Sequence, residues 1–202
     1  MTFEGCEGVG KSSQMRMLRS YCDINGVNAL FTREPGGSRV AEQIRGVILN
    51  PENTEMTFEC EAILFAAARS QHLYDIIVPA LKKGKTVFCD RYVDSSYAYQ
   101  GFGRGLGLDY VKALNKFAVN DYMPDLTVFL DLPPEEAFKR KGGASQTDRM
   151  EKSKADFFCR IYEGYKEVAR LQPHRVYIID AAGTKSETHE TVVAFLKSKG
   201  IL

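Results

Sequence analysis

Short apolar runs alternate with longer segments of helical periodicity along the whole chain. The apolar runs read TFE, NALFT, TVFCD, LTVFLDL and VYIID, and each predicts a β-strand. They are continuous and not alternating, which is typical of strands buried on both faces of a parallel sheet. The pattern therefore predicts an α/β fold with a doubly wound parallel sheet and helices on both faces. Helices are predicted from about Lys11, between about Ser38 and Lys83, and then up to about Asp121 and up to about Leu171.

The groups with the most suggestive chemistry fall directly after the predicted strands. GCEGVGKSS follows the first strand, REPGG follows the second and DRY follows the third. Because a doubly wound sheet binds ligands at the carboxyl ends of its strands, we expect one site at that edge. At 202 residues the chain suits a single domain, residues 1–202. Only residues 1–4 are available for the first strand, against a usual length of about 5–6, so either residues are missing upstream or the protein accepts a short strand, and our hypothesis is the former.

Charge and hydropathy argue against several classes of partner. The 27 basic and 26 acidic residues leave a net charge of +1, which disfavours a duplex nucleic-acid binder and favours a small anionic ligand. No apolar run approaches the ~20 residues that a membrane span needs, and the N-terminus lacks the pattern of a signal peptide. We therefore expect a cytoplasmic protein that binds neither nucleic acid nor membrane.

The five cysteines are odd in number and form no C-x-x-C pair, so they indicate neither a zinc site nor a complete disulfide framework. We interpret them as reduced thiols. Cys6 lies near a predicted helix N-terminus, which can lower the pKa of a thiol, but we favour a role as a small filler residue. The three histidines show no metal or catalytic-triad spacing.

The stretch GCEGVGKSS matches G-x-x-x-x-G-K-[ST], the phosphate-binding loop. In such a loop backbone N–H groups point at phosphates, the lysine, here Lys11, reaches the β and γ oxygens, and the hydroxyl, here of Ser12, holds Mg²⁺. The loop alone predicts binding of a nucleoside triphosphate and leaves the reaction open, because motors, switches and kinases share it. The predicted ATP-binding residues are Gly5, Cys6, Glu7, Gly8, Val9, Gly10, Lys11, Ser12 and Ser13.

The run KTVFCDRY places a carboxylate and a guanidinium at the end of the third strand. Asp90 can help to hold Mg²⁺, and the planar fork of Arg91 can bind phosphate oxygens through two hydrogen bonds. An adjacent acid and base can equally form a surface ion pair. Beside a phosphate loop we favour the functional interpretation, in which a phosphate donor and a phosphate acceptor meet at one strand edge.

Two sets of side chains can recognise a base or a sugar. Phe65 and Arg69 are four residues apart, so on a helix the ring can stack on a base while the guanidinium binds the edge of that base. The alternative is that Phe65 belongs to the core. Ser96, Tyr99 and Gln100 lie in DSSYAYQGFGRG, which is either a wall of the base or sugar site or an ordinary polar loop.

The segment TREPGGSRVAEQIRG follows the second strand and is a further candidate wall. Its proline and glycines predict a turn, and Ser38 is predicted to cap the helix that follows. Glu34, Pro35 and Arg45 can line a pocket from this position.

The basic stretch KRKGGASQTDRMEK predicts a lid at about 140–152. Lys139, Arg140, Lys141 and Arg149 surround two glycines, which suits a mobile loop that brings positive charge to a transferring phosphoryl group. A solvated basic loop is the alternative.

Five segments in this order and spacing, FEGCEGVGKSS, TREPGGS, LFAAARSQHL, DRYVDSSYAYQG and PDLTVFLDL, resemble the bacterial thymidylate kinase family. The resemblance spans nearly the whole chain. It implies a P-loop kinase fold with a five-stranded parallel sheet and a lid, a homodimer, and transfer of the γ-phosphate of ATP to dTMP with Mg²⁺. The alternatives are a kinase for another nucleoside monophosphate or a deoxynucleoside, and a P-loop ATPase without an acceptor.

The resemblance also implies roles for single residues. Lys11 and Ser12 would serve the ATP phosphates and Mg²⁺, with Asp90 helping to organise the metal. Arg91 would hold the dTMP phosphate, and Glu7 would lie near the acceptor sugar and phosphate. The other implied acceptor contacts are Phe65 and Arg69 with thymine, Ser96 and Gln100 at the base, Tyr99 beside the deoxyribose, and Glu34, Pro35 and Arg45 along the wall.

Some members of the family carry a catalytic arginine in the phosphate loop and others carry it in the lid. The loop sequence CEGV contains no basic residue, so this chain resembles the lid-arginine type. Arg149 matches the expected lid position best, although Arg140 or Lys141 could share or take that role. The predicted catalytic residues are Glu7, Lys11, Arg91 and Arg149.

Overall fold

A computed structural model describes residues 1–119, 121–141, 149–150 and 155–202. Its centre is a five-stranded sheet in the order β2-β3-β1-β4-β5, and every described strand pair is parallel. This confirms the predicted parallel sheet, and all five apolar runs of the sequence supply its strands. The strands are β1 (Thr2–Glu4), β2 (Ala29–Arg33), β3 (Thr86–Asp90), β4 (Thr127–Asp131) and β5 (Val176–Asp180).

Helices connect the strands and surround the sheet, as predicted. Two of the helical segments, Leu73–Ile77 and Tyr97–Gly103, are π-helical. Within the described ranges, no helix has the length and apolar character needed to cross a bilayer. The α-helices are α1 (Lys11–Asn25), α2 (Arg39–Leu49), α3 (Phe58–His72), α4 (Val78–Lys82), α5 (Val93–Ser96), α6 (Leu108–Val119), α7 (Pro134–Lys141), α8 (Ala155–Leu171) and α9 (Lys185–Ser198).

The three central strands are the most deeply buried, which explains their continuous apolar sequences. Phe3 of β1, Phe88 of β3 and Phe129 of β4 are fully buried and belong to one apolar cluster. The edge strands β2 and β5 are only partly buried, because each has a neighbour on one side.

Strand β1 has only three residues but occupies the middle of the sheet, between β3 and β4. Phe3 is in register with Asp90 on one side and with Val128 on the other. The loop that follows β1 therefore begins beside the end of β3. Arg33 at the end of β2 also pairs with Asp90, so the carboxyl ends of three neighbouring strands form one edge.

Two local predictions need correction. Ser38 does occupy the N-cap position of α2, but its side chain makes no capping hydrogen bond. Instead the Glu42 carboxylate, one turn into the helix, accepts a hydrogen bond of 2.7 Å from the Gly37 N–H and another of 2.9 Å from Arg33. An acid in the first turn of the helix thus fixes the turn that precedes it.

The segment DSSYAYQGFGRG is helical and not an ordinary loop, because α5 continues directly into the π-helical segment Tyr97–Gly103. Its glycines serve packing. A Cβ placed on Gly103 would lie 2.8 Å from side-chain atoms of both Phe157 and Ile161, so only glycine allows α8 to approach this closely. Most of the predicted lid, including Gly142 and Gly143, lies outside the described residues.

A buried ion pair links α5 to the residue that precedes β5. Arg175 donates to both carboxylate oxygens of Asp94, at 2.7 and 2.6 Å, and both side chains are almost fully buried. The hydroxyl of Thr127 donates to the same carboxylate at 2.9 Å. Removing one partner of such a pair leaves an uncompensated charge in a low-dielectric interior.

We expect Arg175→Met to lower the free energy of unfolding by about 3–5 kcal/mol, because the buried Asp94 carboxylate loses its cation. Urea denaturation followed by circular dichroism measures this change. Arg170→Met is the matched control, since Arg170 pairs with Glu167 on the exposed surface of α8, and we expect it to unfold like the unaltered protein. A change below about 1 kcal/mol for Arg175→Met would contradict the importance of the buried pair.

Candidate active site

The phosphate loop connects β1 to α1 and is shaped by its glycines. Gly10 is the N-cap of α1 and has a φ of 101°, in the left-handed region. Gly8 has a φ of 82°, and a Cβ added there would lie 2.5 Å from the carbonyl oxygen of Ala137 in α7. A side chain at Gly8 is therefore excluded both by backbone conformation and by the closeness of α7.

Lys11 is the first residue of α1 and is buried at the base of this loop. Its Nζ donates to the carbonyl oxygens of Gly5 at 2.9 Å and Cys6 at 2.8 Å. Burial lowers the pKa of Lys11 from its usual value, and the nearby Arg91 guanidinium lowers it further. The ammonium group is held inside the loop, where a phosphate oxygen can exchange for a carbonyl oxygen.

Cys6 behaves as the filler residue that the sequence favours. Its side chain is buried, and burial raises the pKa of the thiol to about 11. The neighbouring Lys11 and Arg91 act in the opposite direction but do not outweigh burial. Cys6 is therefore protonated near neutral pH and is not an activated nucleophile.

Arg91 lies at the centre of the site and donates four hydrogen bonds. Its Nη2 contacts Glu7 Oε1 at 2.5 Å and the Tyr99 hydroxyl at 3.1 Å. Its Nη1 contacts the hydroxyls of Ser95 at 3.1 Å and Tyr165 at 3.0 Å. Arg91 has a φ of 69° and, among the described residues, no other residue except glycine has a positive φ. A strained backbone at the end of β3 is thus maintained by contacts from four side chains.

A fully buried carboxylate, Glu4, lies behind Arg91 at the end of β1. Glu4 accepts hydrogen bonds from the hydroxyls of Ser95, at 2.6 Å, and Tyr165, at 2.9 Å, and from the Tyr92 N–H at 2.7 Å. Burial raises the pKa of Glu4 to about 7, and the negative charge of the nearby Asp94 also acts to raise it. Because both hydroxyls donate to Glu4, their lone pairs remain available to Arg91. The sequence analysis missed Glu4, although an acid at the end of an apolar run was a signal.

Ser12 and Asp90 are brought together as predicted for a metal site. The Ser12 hydroxyl donates to Asp90 Oδ2 at 3.2 Å, and both residues line the same cavity. One hydroxyl and one carboxylate are the hard oxygen donors that suit Mg²⁺ when nucleotide phosphates and water supply the remaining ligands. Within the part of the chain that the structure describes, no group of three or more His, Cys, Asp or Glu side chains could bind a metal by itself.

A cavity of about 440 Å³ extends from the phosphate loop to the π-helical segment. It collects most of the predicted site residues, and it adds Arg33, Leu49, Ser95 and Met150, which the sequence analysis did not select. Gly5, Cys6, Val9, Arg69 and Arg149 do not line it. The predicted residues that do are Glu7, Gly8, Gly10, Lys11, Ser12, Ser13, Glu34, Pro35, Arg45, Phe65, Asp90, Arg91, Ser96, Tyr99 and Gln100.

Arg69 lies behind the cavity wall and is only 2% exposed. It donates to Glu34 at 2.8 Å and to the Tyr92 carbonyl oxygen at 3.0 Å, and its Nη1 donates to Ser96 at 3.0 Å and Asn115 at 2.5 Å. These contacts use four of the five N–H donors of the guanidinium. Arg69 is therefore a structural support of the wall, and its predicted contact with thymine remains a prediction. Phe65, one turn earlier on α3, does line the cavity.

The second carboxylate oxygen of Glu34 contacts a histidine that the sequence analysis left unassigned. His72 is fully buried, with Nδ1 at 3.0 Å from Glu34 Oε1 and Nε2 at 2.7 Å from the Thr32 hydroxyl. Glu34 thus links α3 to the end of β2 through both Arg69 and His72. The cavity wall formed by Glu34 and Pro35 is supported from behind by these contacts.

Glu61 was also missed, although an acid within the apolar helix α3 is unusual. It is fully buried and accepts hydrogen bonds from Gln100 at 2.9 Å and from Arg104 at 3.1 and 3.0 Å. Arg149 Nη2 donates to the same carboxylate, and Arg149 Nε donates to the Ile48 carbonyl oxygen at 3.0 Å. Glu61 therefore accepts hydrogen bonds from the π-helical segment and the residue that follows it, and from the predicted lid.

The two lid arginines that the structure describes are at different places. Arg140 donates to the carbonyl oxygens of residues 181–183, after β5, including a bond of 2.6 Å to Ala181. Arg149 lies against Glu61 and the C-terminal end of α2, as described above. The side chain of Lys141 lies outside the described residues. The roles of Arg140 and Arg149 in catalysis stay predictions.

Comparison with known proteins decides the family. The sequence profile of the family described as thymidylate kinase matches residues 3–192, which is almost the whole chain. The chain belongs to the thymidylate kinase family. This agrees with the resemblance seen in the sequence motifs.

Individual members of the thymidylate kinase family match over nearly their full length. The thymidylate kinase of Clostridium novyi (strain NT) is 44% identical over 199 residues, which cover 98% of this chain and 97% of that protein. The thymidylate kinase of Bacillus velezensis is 46% identical over 190 residues, covering 92% of this chain and 88% of that protein.

A solved structure agrees with the family assignment. The crystal structure of thymidylate kinase from Ehrlichia chaffeensis is similar to this chain with a TM-score of 0.78 and 32% sequence identity. The alignment covers 97% of this chain and 96% of the other. The likeness therefore extends to the whole fold, including the strands and helices that line the cavity.

Proposed function

We propose that this protein transfers the γ-phosphate of ATP to dTMP and releases dTDP and ADP. The observation that carries the proposal is one continuous cavity in a member of the thymidylate kinase family, which joins a phosphate loop to a wall of aromatic and amide side chains. A donor and an acceptor can occupy its two ends at the same time. Because both substrates are nucleotides of the cytoplasm, we also propose that the protein acts there.

The phosphate loop binds ATP in this proposal. The N–H groups of the loop and the N-terminus of α1 attract the phosphates, and Lys11 exchanges its carbonyl partners for β and γ oxygens. Ser12 and Asp90 would hold Mg²⁺, whose charge, when it is bound, neutralises the phosphate oxygens. The oxygen donors of these two side chains fit that ion, as described above.

Arg91 binds the phosphate of dTMP. It lies beside the phosphate loop, and its hydrogen bonds to Glu7, Tyr99, Ser95 and Tyr165 set the plane of the guanidinium before any substrate arrives. Glu7 and Tyr99 lie on the cavity side of Arg91, so they are placed for the deoxyribose and for the 5′-phosphate. Because its four Nη–H donors already have partners, Arg91 binds the acceptor phosphate by exchanging the Glu7 and Tyr99 contacts of Nη2 for phosphate oxygens, while Ser95 and Tyr165 keep the guanidinium in place.

The thymine base lies at the other end of the cavity. Phe65 stacks on the ring, while Ser96 and Gln100 face its edge and Glu34, Pro35 and Arg45 close the side. Arg69 supports this wall from behind through its four hydrogen bonds. Stacking and edge contacts of this kind orient the acceptor for in-line attack. Such orientation is a main contribution of enzymes that catalyse phosphoryl transfer.

Arg149 supplies additional positive charge during transfer in this proposal. The cavity-lining Met150 follows it directly, and Glu61 holds its guanidinium at the acceptor end of the cavity. To reach the transferring phosphoryl group, Arg149 exchanges Glu61 for phosphate oxygens. Arg140 and Lys141 remain the alternatives for this role.

A homodimer is supported by exposed apolar side chains on α3 and α6, two helices that pack together. Ile63 of α3 is 50% exposed, and Tyr110 and Phe117 of α6 are 46% and 86% exposed. A second copy of this chain would cover these side chains through its own matching surface.

Substrate choice is tested by a coupled assay for ADP with dTMP, dUMP, dCMP, dGMP and thymidine as acceptors. We expect the highest kcat/KM with dTMP, and little ADP without an acceptor, because the attacking group is the acceptor phosphate. Preference for another acceptor would support a different nucleotide kinase. ADP formation that is indifferent to dTMP would support an ATPase without an acceptor.

We expect Arg149→Ala to lower kcat by about 100- to 1000-fold with a smaller change in the KM for dTMP, because the lost contact forms during transfer. Steady-state kinetics measure both values. Arg170→Ala, on the exposed surface of α8, is the matched control and should leave both unchanged. An unchanged kcat for Arg149→Ala would reject the role and direct attention to Arg140 and Lys141.

The dimer surface is tested by Phe117→Glu, which places a charge in the apolar patch. We expect the sedimentation coefficient to change from that of a dimer to that of a monomer, because a buried unpaired carboxylate destabilises the interface. Ile24→Glu, at a side chain of α1 that is 83% exposed, is the matched control and should remain dimeric. A monomeric unaltered protein would contradict the proposal.

A further inference from the structure

Glu61 lies behind the base end of the cavity and does not line it. It belongs to the first turn of α3 and is 0% exposed. Its Oε1 accepts from Gln100 Nε2 at 2.9 Å and from Arg104 Nε at 3.1 Å. Its Oε2 accepts from Arg104 Nη2 at 3.0 Å and from Arg149 Nη2. Two guanidinium groups thus compensate the buried charge, and the amide of Gln100 is the third partner.

This contact determines which way round the amide of Gln100 is held. A carboxylate between two arginines only accepts hydrogen bonds, so Gln100 must turn its NH₂ group towards Glu61. Gln100 lines the cavity, and within the described residues its amide oxygen makes no hydrogen bond. The amide therefore presents its oxygen, an acceptor, to whatever base enters the cavity.

An acceptor at this position distinguishes between pyrimidines. Thymine and uracil carry a hydrogen on N3 and so offer a donor there, whereas N3 of cytosine carries a lone pair. The amide oxygen of Gln100 can accept from the first two bases and is left facing a second acceptor with the third. A buried polar group that loses its partner in this way is the basis of strong discrimination by binding sites.

We infer that Glu61 is a positioning residue for base selectivity: by holding the amide of Gln100 in one orientation, it selects pyrimidine monophosphates that carry N3–H over cytosine monophosphates. The inference rests on the proposed function, since it assumes that the base of the acceptor lies against Gln100. Glu61 touches no substrate itself and acts on the choice of base through Gln100. Arg104 contributes by keeping the carboxylate in place through two hydrogen bonds, and Arg149 adds to this until it exchanges Glu61 for phosphate oxygens.

The test is Glu61→Gln, which keeps the size of the side chain and replaces one acceptor oxygen with a donor. The two arginines compete for the remaining oxygen, so the introduced NH₂ group faces Gln100. Gln100 then turns its amide and presents NH₂ to the base, which suits N3 of cytosine. We expect the ratio of kcat/KM for dTMP to that for dCMP to fall by about 10- to 100-fold.

The ratio for dTMP to dUMP supplies the internal comparison, because both bases carry N3–H. This ratio should stay the same in Glu61→Gln. General damage to the cavity would instead lower kcat/KM for dCMP and dUMP alike. Glu59→Gln is the matched control, since it removes the same charge from an exposed position on the same helix. We expect it to leave both ratios unchanged.

An unchanged ratio of dTMP to dCMP in a folded Glu61→Gln protein overturns the inference. If circular dichroism shows that this variant does not fold, the same ratio is read from Glu61→Asp, which keeps the charge for the arginines but withdraws the acceptor from Gln100. For Glu61→Asp we expect a smaller fall in the ratio of dTMP to dCMP. An unchanged ratio in this variant overturns the inference. Failure of the proposed function is distinct, because the unaltered protein would then not prefer dTMP as acceptor.

Discussion

The contact between Arg91 and Glu7 joins the two halves of the site. Arg91 directly follows β3 and Glu7 belongs to the loop after β1, and these strands are neighbours although 84 positions separate the two residues in the chain. The parallel arrangement is what allows this contact, since it brings both carboxyl ends to one edge of the sheet. A phosphate group held by Arg91 is consequently next to the loop that holds the phosphates of the donor.

Buried acids form a supporting layer behind the cavity. Glu4 orients the hydroxyls that contact Arg91, Glu34 accepts from Arg69 and lies beside His72, and Glu61 accepts from Gln100 and two arginines. An uncompensated charge at such a depth destabilises a protein by several kcal/mol, so each acid depends on its partners and each partner is held by its acid. The side chains that face the cavity are preorganised because they have little freedom to move away from this layer.

The sheet could be predicted from the sequence because its information is local: five apolar runs have five strands as their counterparts. The phosphate loop could be predicted for the same reason. Glu4, Glu61 and His72 could not be assigned, since their partners lie between 38 and 161 positions away in the chain. Composition left DSSYAYQGFGRG open between a wall of the base or sugar site and an ordinary polar loop, because glycines that are typical of turns in isolation allow close packing against α8 in the folded chain.

The π-helical segment Tyr97–Gly103 restricts deletions in the part of the gene that encodes it. Its wide turn is closed by the N–H of Arg104, which donates to the carbonyl oxygen of Tyr99, five residues earlier, at 2.8 Å. A wide turn holds one residue more than an α-helical turn, and it is from this segment and the residue after it that Gln100 and Arg104 both reach Glu61. Loss of a single codon here would tighten the turn and rotate the two groups relative to each other about the helix axis. The length of this segment, and not only its composition, therefore carries information about which base is read.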